Sequence, residues 1–248
     1  MIPLRDLLPT RSRPVVTFAI IGLNVAVFLM QLLVGSVDGE RLVQRFGVIP
    51  AVLTSMDVFR ANSLGGAMGA LITPFTSMFL HGGVMHILGN MWFLWIFGDN
   101  VEDELGRGRF VAFYLLGGLC AALLQVASDP SSTTPMIGAS GAISCVLAGY
   151  VLLHPQARVV TLVPIFIVLT TIEVPAFAFI FVWFGMQLLA GFGSLVMVSH
   201  SGGVAWWAHV GGFVAGLLTV RLFLPSQREP RWEHRPRRRE PDRSRYYD

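Results

Sequence analysis

The sequence predicts an all-α membrane protein, a polytopic bundle of six transmembrane helices. The chain is 54% hydrophobic and only 13% charged, against about a quarter charged in ordinary soluble domains. Several apolar runs approach or exceed the roughly 20 residues that cross a bilayer as a helix. Polar and ionisable side chains recur inside three of those runs, where they are costly and tend to be functional.

The elements follow in order. Met1–Pro14 is short and basic through Arg5, Arg11 and Arg13, a cytoplasmic amino terminus. The membrane domain then covers residues 15–224. Its first span, Val15–Val34, is too long for a signal-peptide core and lacks a small-x-small cleavage site. A long connection to about Pro74 carries Phe46, Val48, Ile49, Val52 and Leu53, apolar enough to lie at the membrane interface. Span two is about Thr76–Gly98 and ends in the acidic residues Asp99, Glu102, Asp103 and Glu104. Span three is about Arg109–Val126, and a turn rich in Ser, Thr and Pro follows. Span four is about Gly138–His154, closed by Pro155, because the residue before a proline disfavours helix.

Val159–Thr171 is rich in β-branched residues and interrupted by Pro164, so it is not read as a span. Span five begins near Glu173-Val174-Pro175, with the proline suited to a first turn, and runs to about Gly191. Span six is about Trp206–Leu224. The Arg- and Pro-rich tail, residues 225–248, cannot bury a core and is expected to be a disordered cytoplasmic segment. Cys120 and Cys145 both lie in apolar runs, so no disulfide framework is implied.

Arginine placement sets the expected orientation. With six spans and both termini inside a plasma membrane, Arg107, Arg109, Arg158 and the tail are cytoplasmic, and the three-to-four and five-to-six connections carry no Lys or Arg. Spans two, four and six then all enter from the outer face. His86 and Asn90, Ser140, and His209 fall at similar outer depths, at about 1.5 Å of rise per residue, and can converge.

A serine hydroxyl attacks an acyl carbon when a neighbouring base takes its proton, and histidine is the usual base near neutral pH. His209 is the candidate base for Ser140. Gly212 and Gly216 follow His209 on its helical face, and Ser144 and Ala148 repeat a small stripe below Ser140, which permits close helix contact. Small residues by themselves serve helix packing equally well. His86 and Asn90, four apart, share a face of span two and could donate to an oxyanion, or act as an interhelical clamp. His81 and His200 read as ordinary solvated histidines near the surface, His154 as interfacial, and His234 lies in the tail.

His86-x-x-x-Asn90, Gly138-x-Ser140-Gly141 and Ala208-His209-x-Gly211-Gly212 occur in that order in three spans. The sequence resembles the rhomboid intramembrane serine proteases in their bacterial six-helix form. The likeness includes Phe79-Leu80-His81-Gly82-Gly83 and Phe97-Gly98-Asp99-Asn100-Val101-Glu102, and covers roughly Thr73–Leu224. It implies a Ser140–His209 dyad without a catalytic aspartate, and oxyanion donors from His86, Asn90 and the Ser140 backbone amide. It also implies hydrolysis of peptide bonds in or beside transmembrane helices of membrane-protein substrates. In that resemblance the first connection corresponds to a lateral loop, and Gly193–Ala205 to a cap over the site. Two features depart from the family pattern. The Trp-Arg pair common in the first loop is absent, Phe59-Arg60 being nearest. Ser144 stands where some relatives carry a tyrosine stacked under the base, so an aromatic from another span would have to position His209.

No H-E-x-x-H metallopeptidase motif occurs, so neither a metal nor a cofactor is expected. Repeats that would mark a transporter are not visible. The expected partners are transmembrane substrates and membrane lipid, not nucleic acid. The competing reading is a non-catalytic rhomboid-like protein that binds transmembrane helices.

Overall fold

The structure, a computed structural model, describes residues 2–55, 64–165, 168–196 and 205–226. The tail beyond residue 226, with His234, lies outside the described residues, as do Phe59-Arg60, His200 and most of the expected cap. The elements are a short strand β1 (Ile2–Asp6), helices α1 (Val15–Leu33), α2 (Gly35–Phe46), α3 (Pro50–Thr54) and α4 (Leu64–Thr76), and a single 3₁₀ turn at Ser77–Phe79. After them come α5 (Val84–Leu105), α6 (Arg107–Ser128), α7 (Ser140–Leu153), strands β2 (Arg158–Ile165) and β3 (Val168–Pro175), α8 (Ala176–Val196) and α9 (Trp206–Thr219).

The molecule is a helical membrane bundle. Among the described residues, four helical stretches are long and apolar enough to cross a bilayer: α1, α6, Ala176–Gly193 of α8, and α9 with its terminal turn. The fifth candidate is a broken one. Expected as one helix over Thr76–Gly98, it is instead a pair, Gly69–Phe79 and Val84–Leu105, bent by 81°. Gly82 and Gly83 lie in the break, where their backbone freedom disfavours helix.

The remaining helix, α7, is short and central. Gly141–Val151 are all buried, and α5, α6 and α9 pack around it. Its 14 residues span only about 21 Å at about 1.5 Å each, less than the roughly 30 Å hydrocarbon layer. The chain before it therefore runs into the bundle without helix, held by Val48 paired with Met136 and by the Gly138 N–H donating to the Ser77 carbonyl at 2.9 Å. Ser140, the first residue of α7, is placed inside the bundle by that arrangement.

In α1 the polar side chains face inward. Thr17, Asn24 and Gln31 are buried with Phe28, while Phe18, Leu29, Leu32 and Leu33 face outward. Hydrocarbon solvates leucine but offers a polar group no partner, so the usual pattern of a soluble helix is reversed. Pro14 provides no side-chain cap for α1. Glu102 of α5, 2% exposed, does so from across the interface. It accepts from the Val16 and Thr17 N–H groups at 3.0 and 2.7 Å and from the Thr17 hydroxyl at 2.8 Å. Asp103 likewise accepts from the Arg11 and Ser12 backbone, and Glu104 pairs with the Arg11 guanidinium.

The β-branched stretch after α7 forms the antiparallel pair β2–β3, and β1 adds to the β2 edge, giving the order β1-β2-β3. Glu173–Pro175 close β3, so α8 starts just after the expected boundary. The sheet seals the end of the bundle opposite Ser140. Asp6 of β1 accepts from Tyr150 Oη of α7 and Asn100 Nδ2 of α5, both at 2.7 Å, and Trp92 Nε1 donates to the Pro3 carbonyl at 2.6 Å. Burial raises the Asp6 pKa, partly offset by the hydrogen bond from Tyr150.

Glu102→Ala leaves two buried donors on Thr17 and a half-buried one on Val16 without their acceptor. It should lower stability by about 1–3 kcal/mol. Glu104→Ala removes only a pair with the exposed Arg11 and should cost at most about 1 kcal/mol. Thermal unfolding of the detergent-solubilised variants, followed by circular dichroism, separates the two; equal melting points would contradict the capping role of Glu102.

Candidate active site

The site is built where α7 and α9 touch. A Cβ at Gly212 would collide with the Gly141 carbonyl, and one at Gly216 with the Cys145 carbonyl and, at 2.8 Å, with Ala148 Cβ. The facing stripe on α7 is therefore Gly141, Cys145 and Ala148. Ala148 sits where the sequence places it. Ser144 does not face α9 as a spacer; its hydroxyl folds back onto the Ser140 carbonyl at 2.7 Å. Gln125 of α6 reaches the start of α9, where its Oε1 accepts from the Ala208 N–H at 3.1 Å.

This contact brings Ser140 Oγ to 2.7 Å from His209 Nε2. The other ring nitrogen, Nδ1, lies 2.7 Å from Gln187 Oε1 of α8. The ring is 6% exposed. The Trp183 ring, one turn before Gln187 on the same helix, sits 5.9 Å from it at 39°, and Trp206 meets it edge-on at 6.1 Å. An aromatic from another helix, Trp183 of α8, thus lies against the ring, while Ser144 stands in place of the tyrosine.

A cavity of about 980 Å³ opens beside this pair. Its walls hold Ser140, His209, His86 and Asn90, so all four residues named from the sequence meet at one space. Asn90 is 8% exposed, and its Nδ2 has no hydrogen-bond partner. A buried amide donor left open in a cavity is available to a bound oxygen. His86 Nδ1 accepts from the Gly82 N–H at 3.4 Å. Gly138 is required twice over. Its φ of +120° is a conformation that L side chains rarely adopt, and a Cβ there would lie 2.7 Å from His86 Nε2. Ser140 also begins α7, and the first N–H groups of a helix have no intrahelical acceptor.

His81 departs from expectation. It is not a solvated surface histidine but 2% exposed, set in the break between the two bent helices. Its backbone N–H and carbonyl are both bonded to the Gln31 side chain of α1, and its ring meets His86 edge-on at 5.1 Å. The α1 helix covers the break, which the sequence pattern does not reveal. Gln187 is the residue that sequence reading misses. Its signal was present, a single amide in the otherwise apolar run of α8, where a polar group at depth demands a partner.

No group of three or more His, Cys, Asp or Glu side chains that could hold a metal ion occurs among the described residues. The chemistry the arrangement supports is that of a half-buried hydroxyl, a buried imidazole and an amide donor.

Residues 68–226 match the Rhomboid domain family. The chain is similar to the mitochondrial presenilin-associated rhomboid-like protein of Mus musculus, 29% identical over 199 residues, covering 73% of this chain and 48% of that protein. It is similar to rhomboid protease GluP of Bacillus subtilis, 35% identical over 135 residues, 53% of this chain and 23% of the relative. Rhomboid-like protease 5 of Toxoplasma gondii is 31% identical over 189 residues, 74% of this chain and 20% of the relative. The chain spans less than half the length of these relatives.

Adding a methyl group at Gly212 should overpack the α7–α9 contact and cost about 1–3 kcal/mol. At Gly185 a Cβ meets nothing within 4 Å, so Gly185→Ala should stabilise its helix by up to about 1 kcal/mol. Melting temperatures in detergent should therefore move in opposite directions; a neutral Gly212→Ala would mean that the helices are not in backbone contact.

Proposed function

Since the chain belongs to the rhomboid family, we propose that it is an intramembrane serine endopeptidase that cuts peptide bonds in or next to transmembrane helices of membrane-protein substrates. The observation that carries this reading is the 2.7 Å approach of Ser140 Oγ to a buried imidazole, His209, beside an unpartnered amide, Asn90. Two similar proteins are described by name as proteases, which supports the same reading.

In the proposed reaction His209 Nε2 takes the Ser140 proton as Oγ bonds to the substrate carbonyl carbon. The carbonyl oxygen becomes an oxyanion, held by Asn90 Nδ2, His86 and the Ser140 N–H. His209 then protonates the leaving nitrogen, the C–N bond breaks, and an acyl ester remains on Ser140. A water molecule, deprotonated by His209, attacks that ester, releases the new carboxylate and restores the hydroxyl. No cofactor is needed to balance these steps.

The cavity reaches the surface beside Met85, which is 78% exposed, so a peptide would approach from the α5 side. Both termini are assigned to the cytoplasm of a plasma membrane, with the β-sheet on the inner side and Ser140 toward the outer one, following the arginine distribution.

Ser140→Ala and His209→Ala should each reduce cleavage of single-span membrane substrates to background, and the double variant should be no worse, because the two act as a unit. Asn90→Ala should lower the rate by on the order of a hundredfold while leaving turnover measurable. A fluorophosphonate should label the wild type, Asn90→Ala more slowly, and Ser140→Ala not at all. Cleavage that survives Ser140→Ala would defeat the serine assignment; wild type that binds such substrates without cutting or labelling would favour the helix-binding alternative.

A peptide bond inside a helix has its backbone groups paired and its carbonyl shielded, so a substrate must unwind before Ser140 can reach it. Gly or Pro placed near, but not at, the cleaved bond should speed cutting in gel-based assays. Equal rates with leucine at those positions would remove the unwinding requirement.

A further inference from the structure

We propose that Gln187 is a positioning residue of this site, a neutral third member that holds the His209 ring with Nδ1 protonated and Nε2 free to accept. The inference rests on the serine-protease reading above. Three observations support it. Gln187 Oε1 and Ser140 Oγ sit 2.7 Å from opposite nitrogens of one ring, so the imidazole is bonded at both ends. Gln187 and His209 are 8% and 6% exposed, so the bond between them is buried. Trp183, four residues before Gln187 and thus on the same face of α8, also meets the ring, so one helix supplies both restraints.

The chemistry depends on which nitrogen carries the proton. A neutral imidazole has one donor nitrogen and one acceptor nitrogen. An amide oxygen opposite Nδ1 accepts only, which places the proton on Nδ1 and leaves the Nε2 lone pair facing the Ser140 hydroxyl. The opposite tautomer would present a donor to Ser140 and could not take its proton. Once Nε2 is protonated, both nitrogens donate, and the amide oxygen still satisfies Nδ1. A carboxylate in that place would do the same while adding a full negative charge. The cavity walls contain no carboxylate, so orientation is supplied without charge.

Among the described residues, the titratable or charged side chains facing this cavity are His209 itself and His86 from α5. The walls from α7 and α8 contribute Ser140, Ile143, Trp183 and Gln187, none charged. The thiols Cys120 and Cys145 do not line it. A change at position 187 can therefore be read in the pH dependence of Ser140 reactivity against an unchanged His86.

The experiment measures the rate of fluorophosphonate labelling of Ser140 and of single-span substrate cleavage, from pH 5 to 9, in detergent. Gln187→Leu and the closer isostere Gln187→Met should lower kcat by roughly 10- to 100-fold, a part of the roughly 10²- to 10⁴-fold that a base contributes, with KM little changed. Gln187→Glu restores an acceptor and adds charge. It should recover much of the rate and move the acid limb of the profile to higher pH, because a neighbouring carboxylate favours the imidazolium. If Gln187 only joins α8 to α9, the Leu and Met variants will melt lower yet keep the wild-type kcat and pH profile, and the proposal falls while Ser140→Ala remains inactive. Cleavage retained in Ser140→Ala would instead overturn the protease reading on which the proposal rests. Should the leucine variant not fold, the methionine and glutamate variants decide the matter.

Discussion

Backbone contact between α7 and α9 is the constraint on which the site depends. Gly212 leaves room for the Gly141 carbonyl, and Gly216 for that of Cys145. Lipid tails are as apolar as leucine, so helices in a bilayer gain little from burying large side chains against each other. Close approach of small residues gains dispersion contacts instead. Here the same approach fixes chemistry as well as packing, because Ser140 lies just before Gly141 and His209 one turn before Gly212. Interaxial distance becomes hydrogen-bond distance.

Within that frame, single polar side chains connect the helices. Glu102 caps α1 from α5, Gln31 of α1 holds the backbone of His81, Gln125 of α6 caps α9, and Gln187 of α8 meets His209. In each case a side chain that hydrocarbon cannot solvate turns inward and finds a backbone group or a ring. At the opposite end, Tyr150 and Asn100 converge on Asp6, tying the short sheet to the helices. The bundle is thus fixed at one end by Asp6 and the acidic end of α5, with Ser140 toward the other.

The short central helix gives the site its depth. At 14 residues α7 does not need to begin at the surface, and the chain leading to it descends without helix, held by Met136 and Gly138. Gly138 has the backbone conformation that this descent requires, and its missing side chain leaves the space that His86 occupies. One residue therefore serves both the turn into α7 and the position of a candidate oxyanion donor.

The helical membrane character is legible without coordinates, and so are Ser140, His209, His86 and Asn90 as candidates, which the structure brings to one cavity. Apolar run length is a local property, and a hydroxyl, an amide and imidazoles inside such runs stand out against it. Gln187 stands out in the same way, yet nothing within α8 indicates which ring it meets, since that partner lies on another helix. The break before Val84 falls at Gly82 and Gly83, within a stretch read from the sequence as one helix, and its cover by Gln31 and the burial of His81 come from α1, far away in the chain. The β-branched stretch after α7 folds back on itself as the pair β2–β3, and residues 2–6, distant in the chain, add a third strand to it. Sequence by itself determined which segments prefer lipid and which residues carry reactive groups, because those follow from composition along the chain. Tertiary structure alone decided the distances, the ring orientation and the second hydrogen-bond partner of His209, because each depends on how far apart two helices can come.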